Sequence, residues 1–334
     1  MPLAQLSLSS NSNRPLPPRI EIHFGDNLDI LRTLPSECVD LIYIDPPFNT
    51  GRTQQRTRFH TEDGTRVTES SWGYDDAFDD FLGFLEPRLR EAHRVLKTQG
   101  SLFFHLDYRE IHYCKVMIDR IFGRASFINE IIWAYDYGAR SKSRWSAKHD
   151  NILWYAKDPD HYTFNYDVMD RIPYMAPGLV GPEKAARGKT PTDVWWHTIV
   201  SPNGHEKTGY ATQKPRGIID RIVKIHSNPG DLLLDFFAGS GTLGESAAAL
   251  GRRAILVDSN PDAIAVMKRR FTPFRTEWFD CDGIVAAPLQ ADTTTSSSPC
   301  TSGFSASQPI KASSRPGRRC RRTNLDQLDL FGCA

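Results

Sequence analysis

The run Val39-Asp40-Leu41-Ile42-Tyr43-Ile44-Asp45-Pro46-Pro47-Phe48 decides how the rest of the chain is arranged. Its front half is short, apolar and β-branched, and two prolines stop it, so it predicts a buried strand emptying into a rigid turn. Pro46 and Pro47 fix φ and carry no N–H, which leaves carbonyl oxygens free to accept beside the Asp45 carboxylate and the Phe48 ring. The turn is an acceptor-rich cup with an aromatic wall, suited to a flat ring that bears an amino group. Taken alone, Asp-Pro-Pro also serves as a plain strand-terminating turn.

A second strand-to-helix junction lies far downstream. Residues 231–235 predict a strand, Phe236-Phe237-Ala238-Gly239-Ser240-Gly241-Thr242 a glycine-rich turn, and 243–250 a helix. The next strand, 253–257, ends at Asp258. Gly239-Ser240-Gly241-Thr242-Leu243-Gly244 satisfies GxGxxG, with Asp258 downstream to hold a ribose hydroxyl, so a dinucleotide-binding oxidoreductase is one candidate. Such an enzyme needs further strands after Asp258, and only a short helix and a polar tail follow. The missing strands lie instead at the amino end, including the one that delivers Asp45.

Together the two junctions resemble the amino-methyltransferases of DNA, in which a DPPY-type motif holds the target base and an FxGxG-type loop holds S-adenosyl-L-methionine. The order here, catalytic turn first and glycine loop last, is similar to the circularly permuted beta group, and the likeness covers residues 20–280. It implies an α/β fold with a doubly wound, mostly parallel, Rossmann-like sheet and an inserted target-recognition region at 160–210. It also implies Asp45, Pro46, Pro47 and Phe48 as the catalytic turn. The implied cofactor site comprises Asp26, Gln213, Lys214, Asp235, Phe236, Phe237, Ala238, Gly239, Ser240, Gly241, Thr242 and Asp258. Asp26 would lie near the cofactor's adenine, with a simple helix N-cap as its competing role. Gln213-Lys214-Pro215 matches the element that closes over the methionine end. The implied activity is site-specific methylation of adenine N6 in DNA, within or outside a restriction–modification system. Cytosine N4 is the alternative, because Phe48 replaces the commoner tyrosine and both amino groups share this chemistry.

The rest of the chain alternates. Strands are predicted at Ile20–Phe24, 101–106, 128–135 and 151–155, and helices at 28–34, 79–96, 110–122 and 218–227, the pattern of a sheet covered on both faces. Loops are expected after Phe271. Residues 49–74 predict a long polar loop with Arg52, Arg56 and Arg58, read as a mobile flap that meets DNA phosphates. Residues 136–210 lose the rhythm and carry Arg140, Lys142 and Arg144 among Tyr135, Tyr137 and Trp145, then Trp195-Trp196. Cations for phosphates and aromatics for unstacked bases suit DNA contact, so these arginines, Lys142 and both tryptophans join the predicted DNA-binding set. His105 and Asp107, at a strand end, are candidates to line the target pocket.

With 334 residues, 40% hydrophobic and 24% charged, the composition is that of a globular protein. There is no apolar run of about 18 residues and the amino end is polar, so neither a membrane span nor a signal peptide is expected, and a cytoplasmic, nucleoid-associated location is. The six cysteines are scattered, without CxxC pairs or histidines at ligand spacing, so no metal site is expected. A net charge of +1 does not argue against nucleic acid, since phosphate contacts need only one basic face.

Residues 1–18 and 286–334 predict a disordered leader and tail around a catalytic domain at 19–285. The tail nevertheless ends in Gln327-Leu328-Asp329-Leu330-Phe331, similar to the short peptides with which bacterial DNA enzymes bind the replicative sliding clamp. Leu330 and Phe331 would fill an apolar pocket, Leu328 a neighbouring one, and Gln327 would anchor polar groups. A terminal helix packing back on the catalytic domain is the alternative. The expected partners are therefore double-stranded DNA, the clamp and, as a homodimer, a second copy of the chain.

Overall fold

The computed structural model describes residues 19–62, 65–138, 140–201, 203–274 and 276–279, with the backbone alone over 53–75. In chain order these form β1 (Ile20–Phe24), α1 (Asn27–Thr33), β2 (Val39–Ile44), β3 (Arg52–Glu62), β4 (Thr65–Asp76), α2 (Phe81–Val95), β5 (Leu96–Leu106) and α3 (Ile111–Phe122). There follow β6 (Phe127–Ala134), β7 (His149–Ala156), α4 (Pro182–Arg187), β8 (Val194–Trp196), α5 (Arg216–His226), β9 (Leu232–Asp235), α6 (Thr242–Ala249), β10 (Arg253–Asp258), α7 (Pro261–Arg270) and β11 (Thr276–Phe279).

Nine strands make one sheet in the order β11-β1-β10-β9-β2-β5-β7-β6-β8. All neighbours run parallel except β7, which opposes both β5 and β6. Side chains alternate across the strands, so each face receives its own apolar layer. Leu41 and Tyr43 of β2 pack with Ile219, Val223, Ala247 and Ile264 from α5, α6 and α7. Ile42 and Ile44 pack on the other side with Leu31, Leu85, Leu89 and Ile118 from α1, α2 and α3. Three helices begin where a side-chain cap takes their free N–H groups: Asp26 for α1, Asp80 for α2 and Asn260, followed by Pro261, for α7.

The strand order reverses between β9 and β2. From β9 the chain crosses to β10 and one edge of the sheet, and from β2 to β5 and the other edge. The two strands are nonetheless hydrogen-bonded neighbours, with Leu41 opposite Leu233 and Ile42 opposite Leu234. At such a switch point the connections leave on opposite faces and a crevice opens at the carboxyl ends of the strands.

Two expectations change. Residues 49–74 are not a loop: β3 and β4 pair antiparallel, from Arg52 opposite Asp76 to Glu62 opposite Thr65. Threonines and valine in this polar stretch favour extended backbone without supplying the apolar alternation that marks a half-buried strand. The base of the hairpin is pinned by Asn49, in the left-handed region at φ 51, whose N–H donates to Asp76 Oδ1 at 2.8 Å and whose Nδ2 donates to Glu110 Oε1 at 2.8 Å. After Phe271 the chain adds β11 at the sheet edge beside β1. The leader, the tail and the clamp-type peptide lie outside the described residues. No helix among the described residues is long and apolar enough to cross a membrane.

Candidate active site

Both junctions open on the crevice. A cavity of about 270 Å³ is lined by Asp45 and Pro47 from the turn after β2, and by Asp235, Phe236, Phe237, Ala238, Gly239, Ser240 and Thr242 from the turn after β9. Asp258 at the end of β10, Asp26 after β1, and Lys214 complete its predicted lining. Of the predicted cofactor residues, Gln213 and Gly241 act from behind the wall. Gln213 accepts from Thr208 N–H at 2.8 Å and donates to the Glu206 carbonyl at 2.7 Å, shaping the segment that carries Lys214. Gly241 caps α6 at φ 76, where a Cβ would lie 2.7 Å from Phe271 Cε2 and 3.0 Å from Met267 Cγ. Only glycine lets this helix start so close to α7.

Two polar ties fix the loop. Gly239 N–H donates to Asp258 Oδ2 at 2.7 Å and Asn260 N–H to Asp258 Oδ1 at 2.8 Å. Arg270 of α7 donates to the Ser240 carbonyl at 2.9 Å and to Thr242 Oγ1 at 3.2 Å, and pairs with Glu245. At the far end of the cavity Asp26 accepts from Leu28 N–H at 2.8 Å and pairs with Arg88 at 2.9 Å, so it is the N-cap of α1 and a wall residue together. Phe78, Phe84, Arg88, Asn27 and Tyr210 also line the cavity. Sequence reasoning missed them because each sits within an ordinary helix or loop pattern.

The carboxyls of this cavity favour a cation. Burial pushes the Asp235 carboxyl well above its ordinary range, against the Phe237 N–H that it accepts at 3.0 Å, and the charges of Asp45 and Asp258 add to the rise. Burial likewise raises Asp258 to about 6, opposed by the backbone N–H groups of Asn260 and Gly239.

On the other side of the cavity stands the turn that the sequence predicts to be catalytic. Asp45 Oδ2 lies 2.9 Å from Lys214 Nζ, which is also 4.6 Å from the centre of the Phe48 ring. Asp45 Oδ1 is buried without a hydrogen-bond partner, 3.7 Å from His105 Nδ1. His105 is fully buried. Tyr43 Oη lies 2.7 Å from its Nδ1 and Asp150 Oδ2 lies 3.2 Å from its Nε2, while Tyr135 Oη donates to Asp150 Oδ1 at 2.9 Å. Burial, then the charges of Asp45, Asp235 and Asp150, push the Tyr43 phenol well above its ordinary range. In the tautomer with its proton on Nε2, facing Asp150, the His105 ring accepts from the Tyr43 hydroxyl at Nδ1 and leaves Asp45 Oδ1 without a donor. His105 was visible in the sequence as a strand-end residue; its link through Asp150 to β7 was not.

A family model described as DNA methylase, covering N6 and N4 methyltransferases, matches residues 39–269, from β2 through α7. The chain belongs to the DNA methylase family. Over 259 residues it is 32% identical to the DNA adenine methyltransferase YhdJ of Escherichia coli (strain K12), a match spanning 74% of this chain and 80% of YhdJ. Over 240 residues it is 31% identical to the type II methyltransferase M.HpaI of Haemophilus parainfluenzae, spanning 72% and 70%. The fold is similar to that of the PvuII DNA methyltransferase (cytosine-N4-specific), with a TM-score of 0.54 and 18% identity over 78% of this chain and 90% of that one. It is also similar to M1.HpyAVI in its complex with SAM, with a TM-score of 0.51 and 22% identity over 76% and 99%. An oxidoreductase reading of the glycine loop is thereby set aside. A DNA methylase of this family takes its methyl group from S-adenosyl-L-methionine, and the cavity fits that cofactor: positively charged at its sulfonium and ammonium, it meets carboxyls that burial leaves short of counter-charge.

The predicted DNA-facing residues of the methylase divide. Arg52, Arg140, Lys142 and Arg144 are exposed, with Arg140 paired to Asp136, and Trp145 beside them is 98% exposed. Arg144 lines a second, polar cavity of about 290 Å³ together with Asp107, Arg109, Tyr135, His149 and Asp150. Arg56 and Arg58 lie on β3, where the side chains are outside the description. The tryptophan pair separates. Trp196 is 74% exposed, but Trp195 is 8% exposed, its indole N–H donating to the Thr192 carbonyl at 3.0 Å and its ring packed under Arg221. Neighbours on a strand point to opposite faces, so one of the pair had to turn into the core. Trp195 is therefore a core residue and not the exposed DNA contact that the sequence predicts.

Proposed function

We propose that this DNA methylase transfers a methyl group to N6 of an adenine flipped out of double-stranded DNA at a specific sequence, and that it belongs to the permuted beta group. One observation carries the reading: Asp45 of the early turn and Gly239 of the late glycine loop line the same cavity. The target nitrogen is paired inside the duplex, so the base must leave the stack, and Phe48 offers the wall to receive it. The amino lone pair is delocalised into the ring and is a poor nucleophile. When Asp45 and the Pro46 or Pro47 carbonyl accept the two N–H groups, the nitrogen pyramidalises and its lone pair turns into the cavity. When bound, the cofactor supplies an electrophilic methyl group. Asp235 and Asp258 would hold its ammonium and ribose hydroxyls, and Asp26 and Phe237 its adenine end. Asp45 takes no proton from neutral adenine; the proton leaves easily once the nitrogen is methylated and cationic.

Adenine is preferred over cytosine N4 because the relative that is 32% identical, YhdJ, is named for adenine. Incubation of the purified chain with genomic DNA and S-adenosyl-L-methionine, followed by nucleoside chromatography, should yield N6-methyladenine. N4-methylcytosine would change the base, and no methylated nucleoside would reject the activity. Sequencing of the product DNA gives the recognition site.

Three further assignments belong to the same proposal. The hairpin from Arg52 to Asp76 meets DNA phosphates, residues 160–210 read the sequence, and Gln327, Leu328, Leu330 and Phe331 dock on the sliding clamp. Tethering by that peptide would raise the local concentration of enzyme at newly copied DNA. A peptide covering 322–334 should bind the clamp, and lose binding with Leu330→Ala and Phe331→Ala together; no binding by the parent peptide rejects the docking.

A further inference from the structure

Asp45 is the acceptor on which the proposed reaction depends, and one of its oxygens is already taken. Lys214 Nζ lies 2.9 Å from Asp45 Oδ2 and 4.6 Å from the centre of the Phe48 ring. A nitrogen donor on that carboxylate, against that ring, makes the two contacts assigned to the exocyclic amino group and the ring of the target base. Oδ1 offers no second landing place. It is buried beside His105, whose Nδ1 is engaged by Tyr43 at 2.7 Å and whose Nε2 is held by Asp150 at 3.2 Å.

The pair is shielded, with the Lys214 side chain 13% exposed and that of Asp45 16% exposed. The backbone of Lys214 is fastened to the cofactor loop, its carbonyl accepting from Thr242 Oγ1 at 3.3 Å. What remains free to move is the four-carbon stem and its compact ammonium group. A cation at this point also has an electrostatic reason. Asp45 shares its cavity with Asp235 and Asp258, its charge adds to the rise of Asp235, and Lys214 pairs with Asp45 in that acidic setting.

We propose that Lys214 is the resident occupant of the target-base site: a positioning residue that holds Asp45 and covers Phe48 in the DNA-free enzyme, then yields both contacts to the incoming amino base. The inference rests on the methyltransferase reading. Base entry is then a competition with an internal ligand, so a base is retained only if it can donate to Asp45 and stack on Phe48 as well as Lys214 does.

The test uses the full-length chain and a duplex carrying the sequence that the wild type methylates, with 2-aminopurine beside the target adenine to report unstacking. Without cofactor, Lys214→Met should raise the unstacking signal at bound DNA by about threefold or more, because the competitor is gone. Lys214→Arg, which keeps a cation on Asp45, should stay near the wild-type signal. In Lys214→Met kcat should fall, from looser placement of Asp45, while the Kd for S-adenosylhomocysteine changes by less than about threefold. An unstacking signal at the wild-type level in Lys214→Met overturns the proposal. If that result comes with about tenfold weaker S-adenosylhomocysteine binding, Lys214 serves the cofactor alone; if it comes with only a lower Tm, its role is structural. Should Lys214→Met fail to fold, Lys214→Gln, which drops the charge, reads the same signal. Failure of the wild type to methylate any DNA rejects the reading beneath, whereas a methylating wild type with unresponsive variants rejects only the placeholder.

Discussion

Gly241→Ala tests whether the cofactor loop owes its shape to the close approach of α7. The backbone there sits at φ 76, and an added Cβ would meet Phe271 Cε2 at 2.7 Å, Met267 Cγ at 3.0 Å and Phe271 Cζ at 3.1 Å. Left-handed backbone costs an alanine about 1–2 kcal/mol. Overpacking against the buried Phe271 ring adds about 1–3 kcal/mol. Gly251 is a matched control, with φ 78 and its nearest atom, Pro229 Cβ, at 4.0 Å, so Gly251→Ala carries the backbone cost alone. Thermal unfolding of both variants without cofactor isolates the steric part. At about 2–4 °C per kcal/mol for a domain of this size, Gly241→Ala should melt roughly 2–12 °C below Gly251→Ala. Isothermal titration should also show weaker S-adenosyl-L-methionine binding in Gly241→Ala and little change in Gly251→Ala. Equal melting points would refute the reasoning, because they would mean that the loop and α7 part at negligible cost.

Asp45→Ala should abolish methyl transfer while cofactor affinity, measured by filter binding, stays within about threefold; a collapse of binding in a folded variant would merge the two subsites. Asp258, raised to about 6 by burial, makes the folded chain hold a proton more tightly than the unfolded one. Its stabilising contribution is therefore complete below about pH 4 and is lost as the pH rises through about 6. Cofactor affinity should run the other way, weakening as the pH falls through about 6 and the ribose acceptor is neutralised, and Asp258→Asn should flatten that dependence. Trp195→Ala should cost about 3–5 kcal/mol of stability in urea unfolding. Trp196→Ala should stay within about 0.5 kcal/mol of the wild type. Charge reversal at Arg56 and Arg58 should weaken DNA binding and reduce the slope of log K against log salt by about one unit per lost phosphate contact; an unchanged slope removes the hairpin from the DNA interface.

The sequence by itself determined the local backbone. The short apolar run over Val39–Ile44, helical periodicity along α2 and α5, and the proline and glycine stops beside them are short-range signals, each carried by residues that touch one another in any fold containing that element. The two motifs could be named for the same reason: Asp45-Pro46-Pro47-Phe48 and the glycine loop are each complete within a few residues. Where polar strands pair only with each other, as β3 and β4 do, that signal is absent and the hairpin went unseen. Tertiary structure alone decided what stands beside what. The parallel pairing of β2 with β9 brings Asp45 to the glycine loop, and the segment before α5 brings Lys214 onto Asp45. The antiparallel pairing of β7 with β5 carries Asp150 to His105 behind the turn, and the pleat at β8 turns Trp195 inward and Trp196 out. None of these neighbours is encoded in the pattern around either partner. They follow from burying two faces of one twisted sheet at once, a condition that the whole chain satisfies and no short stretch of it contains.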